Sequence, residues 1–119
     1  MRAIDHNGHV PQPGQMTETR LCKEIESYCD SLGLAYHHNP DSRRVHGKPG
    51  FPDYVIAGPH GVLYREAKDE RNSLGPDQRV WGRLLEACGA DWGTWRPRDL
   101  FSRRILYELQ ELTEEYRAA

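Results

Sequence analysis

Asp53, Glu66 and Lys68 lie within GFPDYVIAGPHGVLYREAK, residues 50–68, a stretch that otherwise leans apolar. Two carboxylates that meet can hold a hard divalent cation through oxygen. Whether these two meet depends on the turn between them. Gly58-Pro59-His60-Gly61 separates two strand-like runs, at about 51–57 and 62–68. Proline's fixed φ does not suit the mirror-image two-residue turns, so a four-residue loop around a type I turn is expected. In either case the centre of symmetry lies between Pro59 and His60. Asp53 then falls directly opposite Glu66, and Lys68 shares their face. Cβ atoms so opposed are ~4.5–5.5 Å apart, and like charges there repel. A divalent cation between them removes the repulsion. The competing reading is a pair of surface carboxylates relieved by Lys68.

A third acid favours the site. A helix is expected from Thr17, its N-cap, to Gly33, its C-cap, with Leu21, Cys22, Ile25, Tyr28, Cys29 and Leu32 as an apolar stripe. Glu18 precedes Cys22 by one turn and so projects along that stripe. Glu24 and Glu26 lie off it and read as solvent charges. A short strand is expected at 34–38 and a polar loop at 39–50. After the hairpin, Pro76 opens a helix with the stripe Val80, Trp81, Leu84, Leu85 and Cys88, which Gly89 ends. A strand at 91–96 and a final helix at about 98–117, burying Ile105, Leu109, Leu112 and Tyr116, complete the chain. Trp81, Trp92 and Trp95 read as core. The fold class is therefore α/β (mixed α+β), in the order α-β-β-β-α-β with a mixed sheet and a C-terminal helix.

With 119 residues the chain suits one domain. Residues 1–15 read as a flexible arm and 16–119 as the domain; Met16 is an alternative start. No apolar run is long enough to span a bilayer, and the expected compartment is the cytosol. The three cysteines lack any CxxC spacing and read as reduced. A zinc site joining Cys22 and Cys29 to His37 or His38 matches no common ligand spacing. The formal charge of −2 argues against a general nucleic-acid coat. Four of the acids lie in residues 108–119, however, and Arg43, Arg44 and Lys48 form a loop patch without acids, followed by Arg65, Lys68 and Arg71. Such patches can hold a phosphate backbone, or simply face water.

Pro52-Asp53 followed by Glu66-Ala67-Lys68 is the PD…(D/E)xK signature of a large nuclease superfamily. Within it the chain resembles the VRR-NUC family, particularly its small stand-alone proteins of phages and bacteria. TETRL, YHHNPDSRR, GFPDYVIA, YREAK, LGPDQRVWGRLLEACGA and WRPRDL carry the resemblance, across about residues 16–100. One departure is Gly75, where the family commonly has Ser or Thr; Ser73 lies just upstream.

The resemblance implies a restriction-endonuclease-like core and a Mg²⁺-dependent nuclease that also accepts Mn²⁺. Asp53, Glu66 and the Ala67 carbonyl would hold the metal, and Glu18 would touch it through water or position a second ion. Lys68 would orient a water, and Gln78 would lie near Lys68 and the phosphate. Arg43, Arg44, Lys48 and Arg71 are the candidate DNA contacts, with His37, His38 and Asp41 behind them. The expected substrate is branched DNA, cut by a homodimer resembling Holliday-junction resolvases. The dimer would form through the C-terminal helix or the N-terminal arm, with no membrane and no organic cofactor involved. Flap, nicked or duplex DNA is the alternative substrate. A DNA-binding module that keeps the fold without catalysis is the alternative class.

Overall fold

A computed structural model describes residues 12–40 and 46–113. Arg43, Arg44 and Asp41, most of the N-terminal arm and Tyr116 lie outside the described residues. The elements are α1 (Glu18–Leu32), β1 (Ala35–His38), β2 (Tyr54–Gly58), β3 (Gly61–Ala67), α2 (Pro76–Ala87), β4 (Asp91–Trp95), α3 (Pro97–Phe101) and α4 (Arg104–Gln110). A 3-10 turn, Pro13–Gln15, precedes them and packs against α3. The expected mixed α+β architecture is present. The strands run β1-β2-β3-β4, antiparallel except for the parallel β3–β4 pair. No helix among the described residues is long and apolar enough to cross a membrane.

The ends of α1 are those the sequence anticipates. Thr17 Oγ1 accepts the Arg20 N–H at 3.1 Å, and Gly33, at φ 70°, closes the helix. Leu21, Ile25, Tyr28 and Cys29 face the core and meet Tyr54, Ile56 and Leu63 from the sheet. Fully buried side chains of this size each stabilise by about 1.5–3 kcal/mol. The hairpin has the expected register, with Tyr54 opposite Arg65 and Ile56 opposite Leu63. Its loop is shorter than expected, because pairing continues to Gly58 and Gly61 and leaves Pro59-His60 alone at the turn. Gly61, at φ 151°, takes the backbone excursion that proline cannot make.

Three expectations need correction. The C-terminal helix is two helices, broken at Arg103, whose φ is 69°. In a continuous helix Leu100 and Ile105 would point about 140° apart; the break lets both reach the core. The α2 stripe is not core either. Val80 and Leu84 are 47% and 62% exposed, and Gly82 is the helix's buried residue. A Cβ on Gly82 would lie 2.5 Å from the Trp92 ring, so α2 meets β4 through its glycine and its apolar row turns outward. Glu24 and Glu26, finally, are not solvent charges. Glu24 is 8% exposed, and Glu26 accepts from Tyr54 Oη at 2.6 Å. Of the three tryptophans only Trp95 is fully buried.

Candidate active site

The sheet positions the acids. Asp53 stands one residue before β2, and Glu66 is the penultimate residue of β3. The Tyr54–Arg65 register therefore brings Asp53 opposite Glu66 where the strands separate. Asp53 Oδ2 accepts the Ala67 N–H at 2.9 Å, which fixes the aspartate against the end of β3. Beyond Ala67 the chain is held by β4, with Lys68 N donating to the Trp95 carbonyl at 3.0 Å. The motif Gly50-Phe51-Pro52-Asp53 is wedged under the first turn of α2. Pro52 is fully buried, Gly50 has φ 93°, and Phe51 packs edge-on to Trp81 at 5.0 Å.

A Cβ on Gly50 would lie 2.5 Å from the Asp77 carbonyl carbon, which is backbone and cannot move alone. Gly50→Ala is thus expected to lift the start of α2 and to cost roughly 2 kcal/mol. Urea unfolding checks the loss, and a midpoint equal to that of the parent refutes the wedge.

Gln78 joins α2 to the acids. Its Oε1 accepts the Gly75 N–H at 2.8 Å, and its Nε2 donates to Glu66 Oε1 at 3.1 Å. One side chain thus caps the helix that Gly75 leaves without a side-chain cap and orients Glu66. The loop between Lys68 and α2 is braced by Arg96, whose Nη1 donates to the carbonyls of Asp69 and Asn72. Arg98 adds an ion pair to Glu70 at 3.0 Å.

Glu66 is 1% exposed, and its Oε2 is buried without a hydrogen-bond partner. Burial raises its pKa well above the ordinary carboxylate range, and the Asp53 carboxylate beside it pushes it the same way. The Lys68 ammonium opposes the shift and does not cancel it. Glu18 is likewise raised, first by burial and then by Asp53. A buried oxygen with an open lone pair, in a carboxylate crowded by another, is what a hard cation with oxygen ligands relieves. The residues present therefore fit a divalent metal held by Asp53 and Glu66. Glu18 lies across a cavity of about 220 Å³ that it lines with Thr19, Cys22, His38, Pro40 and Asp53. No three His, Cys, Asp or Glu side chains among the described residues are clustered tightly enough to form a metal cage by themselves.

The sign of the Glu66 shift has a measurable outcome. Below pH ~4.5 the carboxyl is protonated folded or unfolded. Above it the unfolded chain releases the proton while the folded, metal-free protein keeps it, so this group costs stability increasingly as pH rises toward its folded pKa. Glu66→Gln keeps an acceptor for Gln78 and removes that cost. The metal-free variant is expected to melt roughly 5 °C above the parent at pH 7.5, with the gap closing near pH 4.5. A lower melting point at pH 7.5 would refute the buried-acid description.

Lys48 and Arg71 are exposed, and the Lys48 carbonyl accepts from Trp81 Nε1 at 3.4 Å. Burial pushes the Cys22 and Cys29 thiols up to about 11 and about 12, and Cys29 is core. What sequence reasoning missed is Glu26. It also accepts from Tyr36 Oη at 3.2 Å and pairs with His38 Nδ1 at 2.9 Å. Its place one turn after Cys22, and so on the same side of α1, was the available signal.

Size alone would misplace the site. A larger hollow of about 510 Å³ lies at the other end of β3, around His60, Cys88 and Glu111, away from the acids.

No family model and no curated protein matches the chain. Solved structures do. One, described as a VRR_NUC domain, aligns with a TM-score of 0.60 at 21% identity, over 85% of this chain and all (100%) of the other. A second, described as a VRR_NUC domain protein, aligns with a TM-score of 0.57 at 20% identity, over 79% of this chain and 90% of the other. The chain has the fold of these domains.

Proposed function

We propose that this protein is a divalent-metal-dependent DNA endonuclease of the VRR-NUC type, hydrolysing phosphodiester bonds in branched DNA as a homodimer. One observation carries the reading: Asp53 and Glu66 converge, and a buried Glu66 oxygen is left without a partner. The likeness to VRR_NUC domains supports it through the fold.

Asp53, Glu66 and the Ala67 carbonyl would hold Mg²⁺ or Mn²⁺. When bound, the metal supplies Lewis acidity to the scissile phosphate and makes water a stronger acid. Gln78 keeps Glu66 aimed, and the Ala67 N–H keeps Asp53 aimed, so neither carboxylate must reorganise during the reaction. Lys68, whose backbone is fixed by Trp95, brings a positive charge close to both Glu66 and Glu18 and would steady the attacking water and the negative charge developing on the phosphoryl oxygens. Lys48 and Arg71 contact the flanking backbone, together with Arg43 and Arg44.

Ile105, Leu109 and Leu112 are buried within the chain, so a second copy would use other surfaces than the apolar face of the last helix. Labelled four-way junction, flap, nicked, duplex and single-stranded DNA, each with Mg²⁺, Mn²⁺ or EDTA, tests the proposal. Metal-dependent cutting with preference for the junction is expected. Cutting of flap or duplex instead would replace the substrate, and binding without cutting would leave a non-catalytic module.

A further inference from the structure

Phe51 and Trp81 line a hollow of about 430 Å³, together with His37, Asn39, His46 and Lys48. Its size is that of a small-molecule pocket, ~300–1,000 Å³. None of the described residues that line it is an acid. The cavity beside Glu18 and Asp53 and the larger hollow around Glu111 both carry carboxylates, which repel a phosphodiester. Lys48 gives this hollow the opposite character, so it suits an uncharged group carried on an anionic chain. The Phe51 and Trp81 rings stand at 90° with centroids 5.0 Å apart and so form a corner. A third flat ring seated there stacks on one and meets the other edge-on, the two arrangements that aromatic groups prefer. The indole N–H is turned to the Lys48 carbonyl at 3.4 Å, so what Trp81 offers the hollow is ring surface.

The hollow is tied to the acids through three of its residues. Phe51 precedes Asp53 by two positions. The Asn39 N–H donates to the Asp53 carbonyl at 2.8 Å. Trp81 follows Gln78 by three positions on α2, so it shares that side of the helix, about one turn from the amide that holds Glu66. One turn is ~5.4 Å along the axis, comparable with one or two nucleotides of strand at ~3.4 Å each. Bases inside a duplex present no free face, so an occupant must be out of the stack. We infer that this corner binds an unpaired nucleobase next to the scissile phosphate, stacked on Trp81, with Phe51 as the positioning residue. The inference rests on the DNA reading above and sharpens its substrate to DNA whose pairing is interrupted at the cut. A branch point meets that demand at least cost, because stacking is already broken there.

The test is equilibrium binding, in EDTA, of labelled four-way junctions carrying a single abasic nucleotide, moved one position at a time through the branch. An abasic site keeps the phosphate and removes the base. Affinity for the parent protein is expected to fall roughly tenfold at one position near the branch and to change little elsewhere. Trp81→Leu should lose a similar factor on the intact junction and keep the parental slope of log affinity against log salt. It should also be indifferent to the sensitive abasic site, since both changes remove the same stack. Trp81→Phe keeps a ring face and should keep most of the affinity.

An even abasic scan, parental affinity in Trp81→Leu, or losses that add overturn the inference and leave the nuclease reading standing. An even scan with Trp81→Leu turning a dimer into a monomer in light scattering would make the hollow a contact between copies instead. A parent protein that binds no DNA overturns both readings. Should Trp81→Leu fail to fold, photocrosslinking of the parent to a junction with iodouracil at the sensitive position decides: a crosslink on Trp81 or Phe51 supports the inference, and its absence from both overturns it.

Discussion

Asp53→Asn is expected to lower the rate of DNA cleavage by roughly 10³-fold or more, leaving DNA affinity within about threefold of the parent. The substitution is chosen because it is nearly silent for the fold. The asparagine amide keeps an oxygen for the Ala67 N–H, the hydrogen bond that Asp53 now accepts at 2.9 Å. It removes a negative charge from beside Glu66, whose pKa should fall accordingly. The variant should therefore be at least as stable as the parent without metal and should gain less stability from added Mg²⁺. Single-turnover cleavage, a binding titration in EDTA and melting with and without Mg²⁺ separate these effects. Cleavage within tenfold of the parent would remove Asp53 from the chemistry, and with it the proposed function.

The second large effect concerns stability, far from the acids. Arg65 alternates with Glu66 along β3 and faces the opposite layer, where it is 3% exposed. A buried guanidinium is tolerable only when its donors are answered. Glu108 Oε1 on α4 accepts from Arg65 Nε at 3.1 Å and Nη2 at 2.9 Å, and also from Trp95 Nε1 at 2.9 Å. Its Oε2 accepts from Arg104 Nε at 2.6 Å. Asp91 adds a further ion pair, but its side chain is 62% exposed. Glu108→Ala leaves the Arg65 Nε and the Trp95 indole N–H without their acceptor, while Arg65 Nη1 and Nη2 keep Tyr64 and Asp91. The expected loss is roughly 4 kcal/mol, near 15–20 °C in melting temperature.

The pH dependence follows. Burial alone would raise the Glu108 pKa, but Trp95, Arg104 and Arg65 outweigh it and hold the carboxyl below its usual value. A depressed folded pKa gives stability that is present above pH ~4.5 and lost as pH falls through the folded value. The Glu108→Ala variant should lack that acid limb. A loss under 1 kcal/mol in urea unfolding would show that Asp91 and the Tyr64 carbonyl suffice to answer Arg65.

How far the sequence revealed this molecule depends on the range of the interaction. The hairpin and its register were legible, because a proline-glycine turn sets pairing locally and side chains alternate strictly. Asp53 opposite Glu66 followed from that register alone. The ends of α1 were legible from Thr17 and Gly33. The α2 stripe misled, since Val80 and Leu84 have helical spacing whether or not anything covers them. Only the approach of Gly82 to Trp92, which depends on where β4 docks, reveals which side of α2 faces inward. Glu26 was hidden for a similar reason. Its partners Tyr36 and His38 come from β1 and Tyr54 from β2, strands joined across the long segment between residues 38 and 54. The break at Arg103 has no local signal, as arginine is an ordinary helix former.

The parallel seam between β3 and β4 has a temporal consequence. Leu63 meets Asp91 and Ala67 meets Trp95 only after the 27 intervening residues have been made and folded back. During synthesis the hairpin can zip as soon as it emerges, yet the backbone beneath Lys68 has nothing to rest on until Trp95 follows. The candidate site is thus completed late, when β4 docks in parallel on β3.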